Sequence, residues 1–212
     1  MLKDYLEQKP VIETPRLLLR PLTPDDVPDL RRWLARDEVY TYWGRPVSKN
    51  EREPELMFVD ARPWVKRKPS PDFKWGIVLR ALLPSPGVTV PVDGTPGPER
   101  DLIGHVIGDI SIFDIENSRM GSVGYRLEPE LWGRGYATEA LQAAVEFVFT
   151  HTELDRLQAT ADVRNTASNR VLEKCGFLHE GTIRRGKMVS AYCDYNIWGM
   201  LREDYDALRQ EG

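Results

Sequence analysis

The chain has little cysteine and little histidine, no excess of basic charge and no long apolar run. Its two cysteines, Cys175 and Cys193, are too few for a disulfide framework and read as reduced core thiols. The three histidines, His105, His151 and His179, stand at no metal-ligand spacing and have no G-x-S-x-G partner. Neither a metal centre nor a serine-hydrolase triad is expected. Lys and Arg number 29 against 33 Asp and Glu, a net charge of −4, which excludes the basic footprint of a nucleic-acid-binding protein. No segment is apolar enough to cross a bilayer, none resembles a signal peptide, and no N-x-Ser/Thr sequon occurs. A soluble cytoplasmic protein with no membrane partner is therefore expected.

What is present is ordinary globular composition, 41% hydrophobic and 29% charged, in a length that suits one domain over residues 1–212. Arg16 to Leu22 reads as a first strand. Thr23-Pro24-Asp25-Asp26 reads as a helix start, with Thr23 at the cap, Pro24 at the first helical position and Asp26 three residues on. Val27, Leu30, Trp33 and Leu34 give that helix a buried face. An aromatic turn, Glu38 to Gly44, follows. Ser48 opens a second helix carrying Leu56, Met57, Val59 and Trp64, with a basic, solvated end at 66–68.

Phe73 to Leu79, Leu102 to Phe113 and Met120 to Leu127 alternate as strands, so the last of these is the fourth strand of the chain. Between the first two lies a stretch dense in Pro and Gly, Leu83 to Asp101, which reads as an exposed insertion; Asp93-Gly94 can nucleate a small hairpin within it. Arg156 to Val163 is a further strand, and Asn165 to Lys174 a short helix with Asn165 at its cap and Gly176 past its end. Gly176 to Arg185 and Val189 to Met200 give two final strands before a polar helical tail. Strands in succession after an earlier strand and two helices indicate an α/β (α+β) fold with a mixed sheet rather than a doubly wound one.

The stretch Gly121 to Ala143 organises the rest. It passes from alternating residues through Gly133 and Gly135 into a helical pattern of Ala137, Ala140, Leu141, Ala144, Val145 and Val148: strand, glycine turn, amphipathic helix. The unpaired N–H groups and positive dipole end of such a helix suit a pyrophosphate, and glycines let the backbone approach it. Two familiar phosphate motifs fail. Gly133 and Gly135 are followed by Thr138, so the dinucleotide fingerprint is incomplete, and Gly181 to Lys187 (GTIRRGK) ends on Met188 where a P-loop needs Ser or Thr.

Taken in order, Thr14 to Arg20 (TPRLLLR), Trp75-Gly76-Ile77, Ile107-Gly108, Gly124-Tyr125, Trp132 to Ala140 (WGRGYATEA), Asn165 to Phe177 (NTASNRVLEKCGF), Glu180-Gly181 and Asp194 resemble the GNAT (Gcn5-related N-acetyltransferase) superfamily, in particular its ribosomal-protein alanine acetyltransferase branch (RimJ/RimL-like). The resemblance spans the chain except the Leu83 to Asp101 insertion. It implies a mixed, mostly antiparallel sheet of about six to seven strands, flanked by helices and splayed around the fourth. It also implies acetyl-CoA as acetyl donor. The backbone of Tyr125-Arg126-Leu127 would pair with the pantetheine arm. Gly133, Arg134, Gly135, Tyr136, Ala137 and Thr138 would hold the pyrophosphate, with Trp132 in place of the family's polar residue. Asn165 and Ser168 would lie near the pantetheine and the sulfur, although capping of their own helix is the structural alternative for both. Many relatives place a proton-donating tyrosine where this chain has Leu172, which leaves Ser168 as the candidate general acid.

An amine acceptor is implied too. An α-amino group, with a reference pKa of about 8, is deprotonated at neutral pH at roughly 3.4 kcal/mol less cost than a lysine near 10.4. A protein N-terminus can thus manage with a modest base or a water chain. Glu180, Asp109, Asp114 and Asp194 are the candidate bases, Glu180 first among them. Backbone N–H groups of the splayed strand could polarise the thioester carbonyl. The expectation is direct transfer in a ternary complex to a primary amine, a protein N-terminus or alternatively an amino sugar, polyamine or amino acid. A CoA-binding module without turnover is the rival class. The insertion and the Glu38 to Gly44 aromatics would shape the choice of acceptor, and a homodimer through the sheet or the Ser48 helix is compatible with the pattern.

Overall fold

The computed structural model describes residues 5, 9–43, 73–82, 100–117, 119–189 and 191–211. The expected Ser48 helix with its basic end, and nearly all of the Leu83 to Asp101 insertion including Asp93-Gly94, lie outside the described residues.

The strands are β1 (Ile12–Glu13), β2 (Leu17–Arg20), β3 (Phe73–Leu79), β4 (Val106–Glu116), β5 (Met120–Leu127), β6 (Arg156–Asp162), β7 (Leu178–Met188) and β8 (Ala191–Leu201). The helices are α1 (Val27–Leu34), α2 (Asp37–Tyr40), α3 (Tyr136–His151), α4 (Thr166–Lys174) and α5 (Arg202–Glu211). The sheet has eight strands in the order β1-β2-β3-β4-β5-β6-β8-β7. It exceeds the expected six to seven partly because β1, only two residues long, pairs Ile12 with Leu19 and Glu13 with Leu18; so short a strand carries no periodic signal. The expected fourth strand is therefore β5. Neighbours are antiparallel except β5 and β6, which run parallel.

Other differences are local. The strand expected from Leu102 starts at Val106, because Arg100–Leu102 closes into a 3-10 turn and Gly104 adopts φ +88°. The aromatic turn begins with the single helical turn of α2. Gly181 to Lys187 lies within β7, so no P-loop forms. Cys175 is buried but Cys193 is half-exposed; both are free.

Two apolar layers hold the sheet. On one side Ala140, Leu141, Ala144 and Val148 of α3 pack with Leu172 of α4 against Ile77, Ile110, Ile112 and Leu157. Each large aliphatic side chain buried in this way contributes about 1.5–3 kcal/mol. On the other side Leu30, Trp33 and Leu34 of α1 and Tyr40 of α2 cover Val78 and Val106. Period-2 strands and a 3.6-period helix thus put α3 and α4 on one face and α1 on the other. The site lies where the sheet itself separates.

Candidate active site

The parallel pairing of β5 with β6 is brief: Met120, Gly121 and Ser122 face Arg156, Leu157 and Gln158, and there it ends. Past Ser122, β5 stays paired with β4 as far as Leu127, opposite Gly108. Past Gln158, β6 stays paired with β8 as far as Asp162, opposite Tyr195. A V-shaped gap therefore opens between Val123–Leu127 and 159–162, bordered by strand edges whose backbone groups can pair with an extended ligand.

The open end of the gap leads directly to the glycine turn. Gly133 has φ +77° and Gly135 φ +83°, a left-handed region that side chains resist. Nothing lies within 4 Å of the position a Cβ would take on Gly133, so its glycine serves the backbone turn and leaves open space above it. Gly135 is the N-cap of α3 and offers no side chain to the helix end. The N–H groups of the first turn of α3, at 136–138, point out of the helix N-terminus, an end that favours an anion. The Tyr136 ring is buried, which leaves its backbone as the part that faces a ligand.

Two side chains brace this turn. Trp132, where the family has a polar residue, donates its indole N–H to the Leu127 carbonyl at 2.9 Å. Arg16, buried at the start of β2, donates Nε to Glu139 Oε2 at 2.6 Å and Nη1 to the Arg134 carbonyl at 2.9 Å, with its guanidinium 4.4 Å from the centre of the Tyr136 ring. Thr14 Oγ1 donates to Glu139 Oε1 at 2.6 Å. The backbone of Arg134 is thus fixed from β2, 118 residues away in sequence.

The other limb carries α4. Asn165 Oδ1 accepts from the Ser168 N–H at 3.1 Å, so the Asn165 carbonyl oxygen is engaged in capping. Asn169, which the sequence reading left out, donates Nδ2 to the carbonyls of Asp162 and Asn165 at 3.0 and 2.8 Å. Its Oδ1 accepts from Asn196 Nδ2 and Trp198 Nε1, both at 2.9 Å. This network ties the start of α4 to β6 and β8; its only sequence signal is the Asn165/Asn169 spacing of one helical turn. Ser168, half-buried, presents Oγ 3.0 Å from the Tyr125 hydroxyl of β5. Leu172 is 1% exposed and packs in the core. Cys175 is buried, its thiol pushed up to about 12 by burial, and it contacts the Thr138 carbonyl.

The candidate bases are dispersed. Glu180 receives Arg156 Nη1 and Nη2 at 2.7 and 2.5 Å, and this pairing holds its carboxyl below the usual range. Its carboxylate stands where a Cβ on Gly199 would point, and Trp198, the next residue, bonds to α4 on the opposite face. Glu180 and Ser168 are therefore on opposite faces of the sheet. Asp109 is buried with Arg126, whose Nε and Nη2 donate to it at 2.9 and 2.7 Å. The Arg126 guanidinium lies 5.5 and 5.2 Å from the Trp33 and Trp43 rings, so only its backbone borders the gap. Asp194 Oδ1 accepts from the Arg185 N–H at 2.7 Å; Asp114 has φ +50°.

A splayed parallel pair ending at a glycine-capped helix is the arrangement that the resemblance to CoA-dependent acyltransferases implies. Residues 16–178 match the family described as acetyltransferase (GNAT) domain, and the chain belongs to that family. It is 29% identical to the uncharacterized N-acetyltransferase YoaA of Bacillus subtilis over 83% of this chain and 87% of that one. It is 32% identical to a ribosomal-protein-serine acetyltransferase of Escherichia coli, over 45% of this chain and 55% of that protein. The fold matches the structure of spermidine N-acetyltransferase from Vibrio cholerae in complex with CoA and spermine, with a TM-score of 0.67, 18% identity, and 91% and 98% of the two chains covered. The Escherichia coli relative accords with the RimJ/RimL-like branch. The protein is an acetyl-CoA-dependent N-acetyltransferase. Among the described residues no group of His, Cys, Asp and Glu is arranged to hold a metal ion, and no helix is long and apolar enough to cross a membrane.

Proposed function

We propose that the protein acetylates the α-amino group of a protein N-terminus by direct attack on acetyl-CoA, in the cytoplasm. The observation that carries this reading is the state of the carboxylates. Asp109 on β4, Asp162 on β6 and Glu180 on the edge strand β7 each hold an arginine: Arg126, Arg164 and Arg156 at 2.7, 2.7 and 2.5 Å. A carboxylate so paired is a weak base and a poor site for a polycation. An α-amino group, with a pKa of about 8, loses its proton to water readily enough to need neither.

In this reading the strand edge Tyr125–Leu127 takes the pantetheine arm and the N–H groups of 136–138 take the pyrophosphate. Acetyl-CoA supplies an activated thioester. Backbone N–H groups of β5 stabilise the negative charge that develops on its carbonyl oxygen. Ser168 Oγ donates the proton that the departing sulfur needs. Glu180 anchors the β7–β8 edge through Arg156, and the proton of the acceptor nitrogen leaves through water.

Thiol release from acetyl-CoA across a panel of N-terminal peptides, polyamines, amino sugars and amino acids tests the proposal. The expected result is a kcat/KM for the best peptide at least about tenfold above any small amine, roughly 1.4 kcal/mol of acceptor recognition. A polyamine or amino sugar as best acceptor would reassign the substrate. Tight CoA binding with no turnover on any acceptor would mark a non-catalytic module.

A further inference from the structure

We infer that Tyr125 is a positioning residue, whose phenol switches the Ser168 hydroxyl between a proton held by the protein and a proton offered to the departing sulfur. The inference rests on the acetyltransferase reading above and concerns a side chain for which that reading used only the backbone.

Three atoms carry it. The Tyr125 hydroxyl oxygen lies 3.0 Å from Ser168 Oγ and 3.2 Å from the Ser168 carbonyl oxygen. The carbonyl can only accept, and the phenol has a single proton. When the phenol donates to the carbonyl, the 3.0 Å contact is a hydrogen bond only if the Ser168 hydroxyl donates to the phenol oxygen, and its proton is then held by the protein. When the phenol turns its O–H onto Ser168 Oγ, the serine proton is free for another acceptor. The same turn brings a hydrogen bond to the oxygen that gains negative charge. The two arrangements share every heavy-atom position and differ by two hydroxyl torsions.

The surroundings keep the phenol a donor. Burial raises its pKa above the ordinary tyrosine value, and the hydrogen bond to Ser168 offsets this only in part. The neighbouring Cys175 thiol is also held neutral by burial. A neutral phenol in a poorly solvated site orients and polarises a partner hydroxyl without giving up its own proton. The tyrosine that relatives carry at the position of Leu172 is absent, and Leu172 is sealed in the core. Here the phenol comes from β5, the opposite limb of the gap, and reaches α4 one turn earlier.

The proton count closes. The C–N bond forms and the C–S bond breaks, while Ser168 Oγ passes its proton to sulfur and recovers through water the one that the acceptor nitrogen loses. Tyr125 ends the cycle as it began.

A double-mutant cycle tests the coupling. Thiol release is followed both with the best amine and with water as acceptor, so the outcome does not depend on the acceptor assignment; failure of the amine panel alone would overturn only that assignment. Tyr125→Phe keeps the ring and is expected to lower kcat by about 10- to 30-fold while the Kd for CoA stays within about threefold, part of the 10²–10⁴ that proton transfer supplies. In a Ser168→Ala background the same change is expected to have no further effect, and Ser168→Thr, which keeps a hydroxyl, is expected to restore sensitivity to it. Additive losses in the double variant, or a CoA Kd that rises in step with the fall in kcat, would make Tyr125 a strut across the gap and overturn the inference.

Discussion

Arg16 Nε donates to Glu139 Oε2 at 2.6 Å across 123 residues of sequence, and the same guanidinium reaches the Arg134 carbonyl inside the glycine turn. The ion pair is thus a brace for the phosphate loop as well as a fold contact. Arg16→Met keeps the aliphatic stem but leaves the Glu139 carboxylate, 17% exposed, without its charged partner and held only by Thr14 Oγ1 and the backbone N–H of residue 16. The expected cost is about 2–3 kcal/mol in urea unfolding, below the usual 3–5 for breaking a fully buried pair. CoA affinity measured by calorimetry is expected to fall roughly tenfold, the 1.4 kcal/mol that a loosened loop would forfeit. A variant that loses stability but binds CoA unchanged would separate the brace from the site.

The two glycines of the turn are expected to respond differently. Gly133→Ala meets open space, so its cost is the left-handed backbone alone, about 1–2 kcal/mol. Gly135→Glu adds a carboxylate at the helix N-terminus that an anionic ligand needs, and should abolish CoA binding while circular dichroism still reports a folded chain. Unchanged CoA affinity in Gly135→Glu would refute the phosphate-loop assignment.

These two cases also mark what is legible in the sequence. Gly133, Gly135, the α3 periodicity and the Asn165 cap are local patterns, and each lies where its spacing places it. Contacts between distant segments leave no such trace: Arg16 with Glu139 and Tyr125 with Ser168 are separated by 123 and 43 residues. The end of the β5–β6 pairing after Ser122 is equally invisible, because alternation along a strand says which face a residue occupies and not how far its neighbour follows. Asp109 and Glu180 read as available carboxylates until their arginines are seen.

Leu172 is the clearest departure from the family pattern, and restoring the tyrosine should not help. At 1% exposure, in contact with the core beneath α3, the position has no room for a phenol. Leu172→Tyr is expected to destabilise the fold by about 1–3 kcal/mol, the cost of overpacking, with no rise in kcat. A gain in kcat would show that the position opens to the gap and would weaken the case for Ser168 as the acid.

The Arg156–Glu180 pair predicts a pH dependence with a definite sign. Its folded-state carboxyl titrates below the unfolded value, so the unfolded chain binds the proton more readily and the pair stabilises the fold above the unfolded value. That contribution is lost as pH falls through the lowered folded value. With Glu180 38% exposed, solvent screening limits it to less than about 1 kcal/mol. Arg156→Met should therefore be less stable than wild type at pH 7 in urea unfolding, and the difference should shrink in acid once Glu180 is protonated in both. The same pairing bears on catalysis, because a carboxylate already ionised throughout the neutral range cannot produce a rate change there. Glu180→Gln is expected to leave the neutral limb of the kcat–pH profile where it is and to lower kcat less than about tenfold, short of the 10²–10⁴ lost with a general base. A shifted limb would return Glu180 to the role of base and require Arg156 to release it when the acceptor binds.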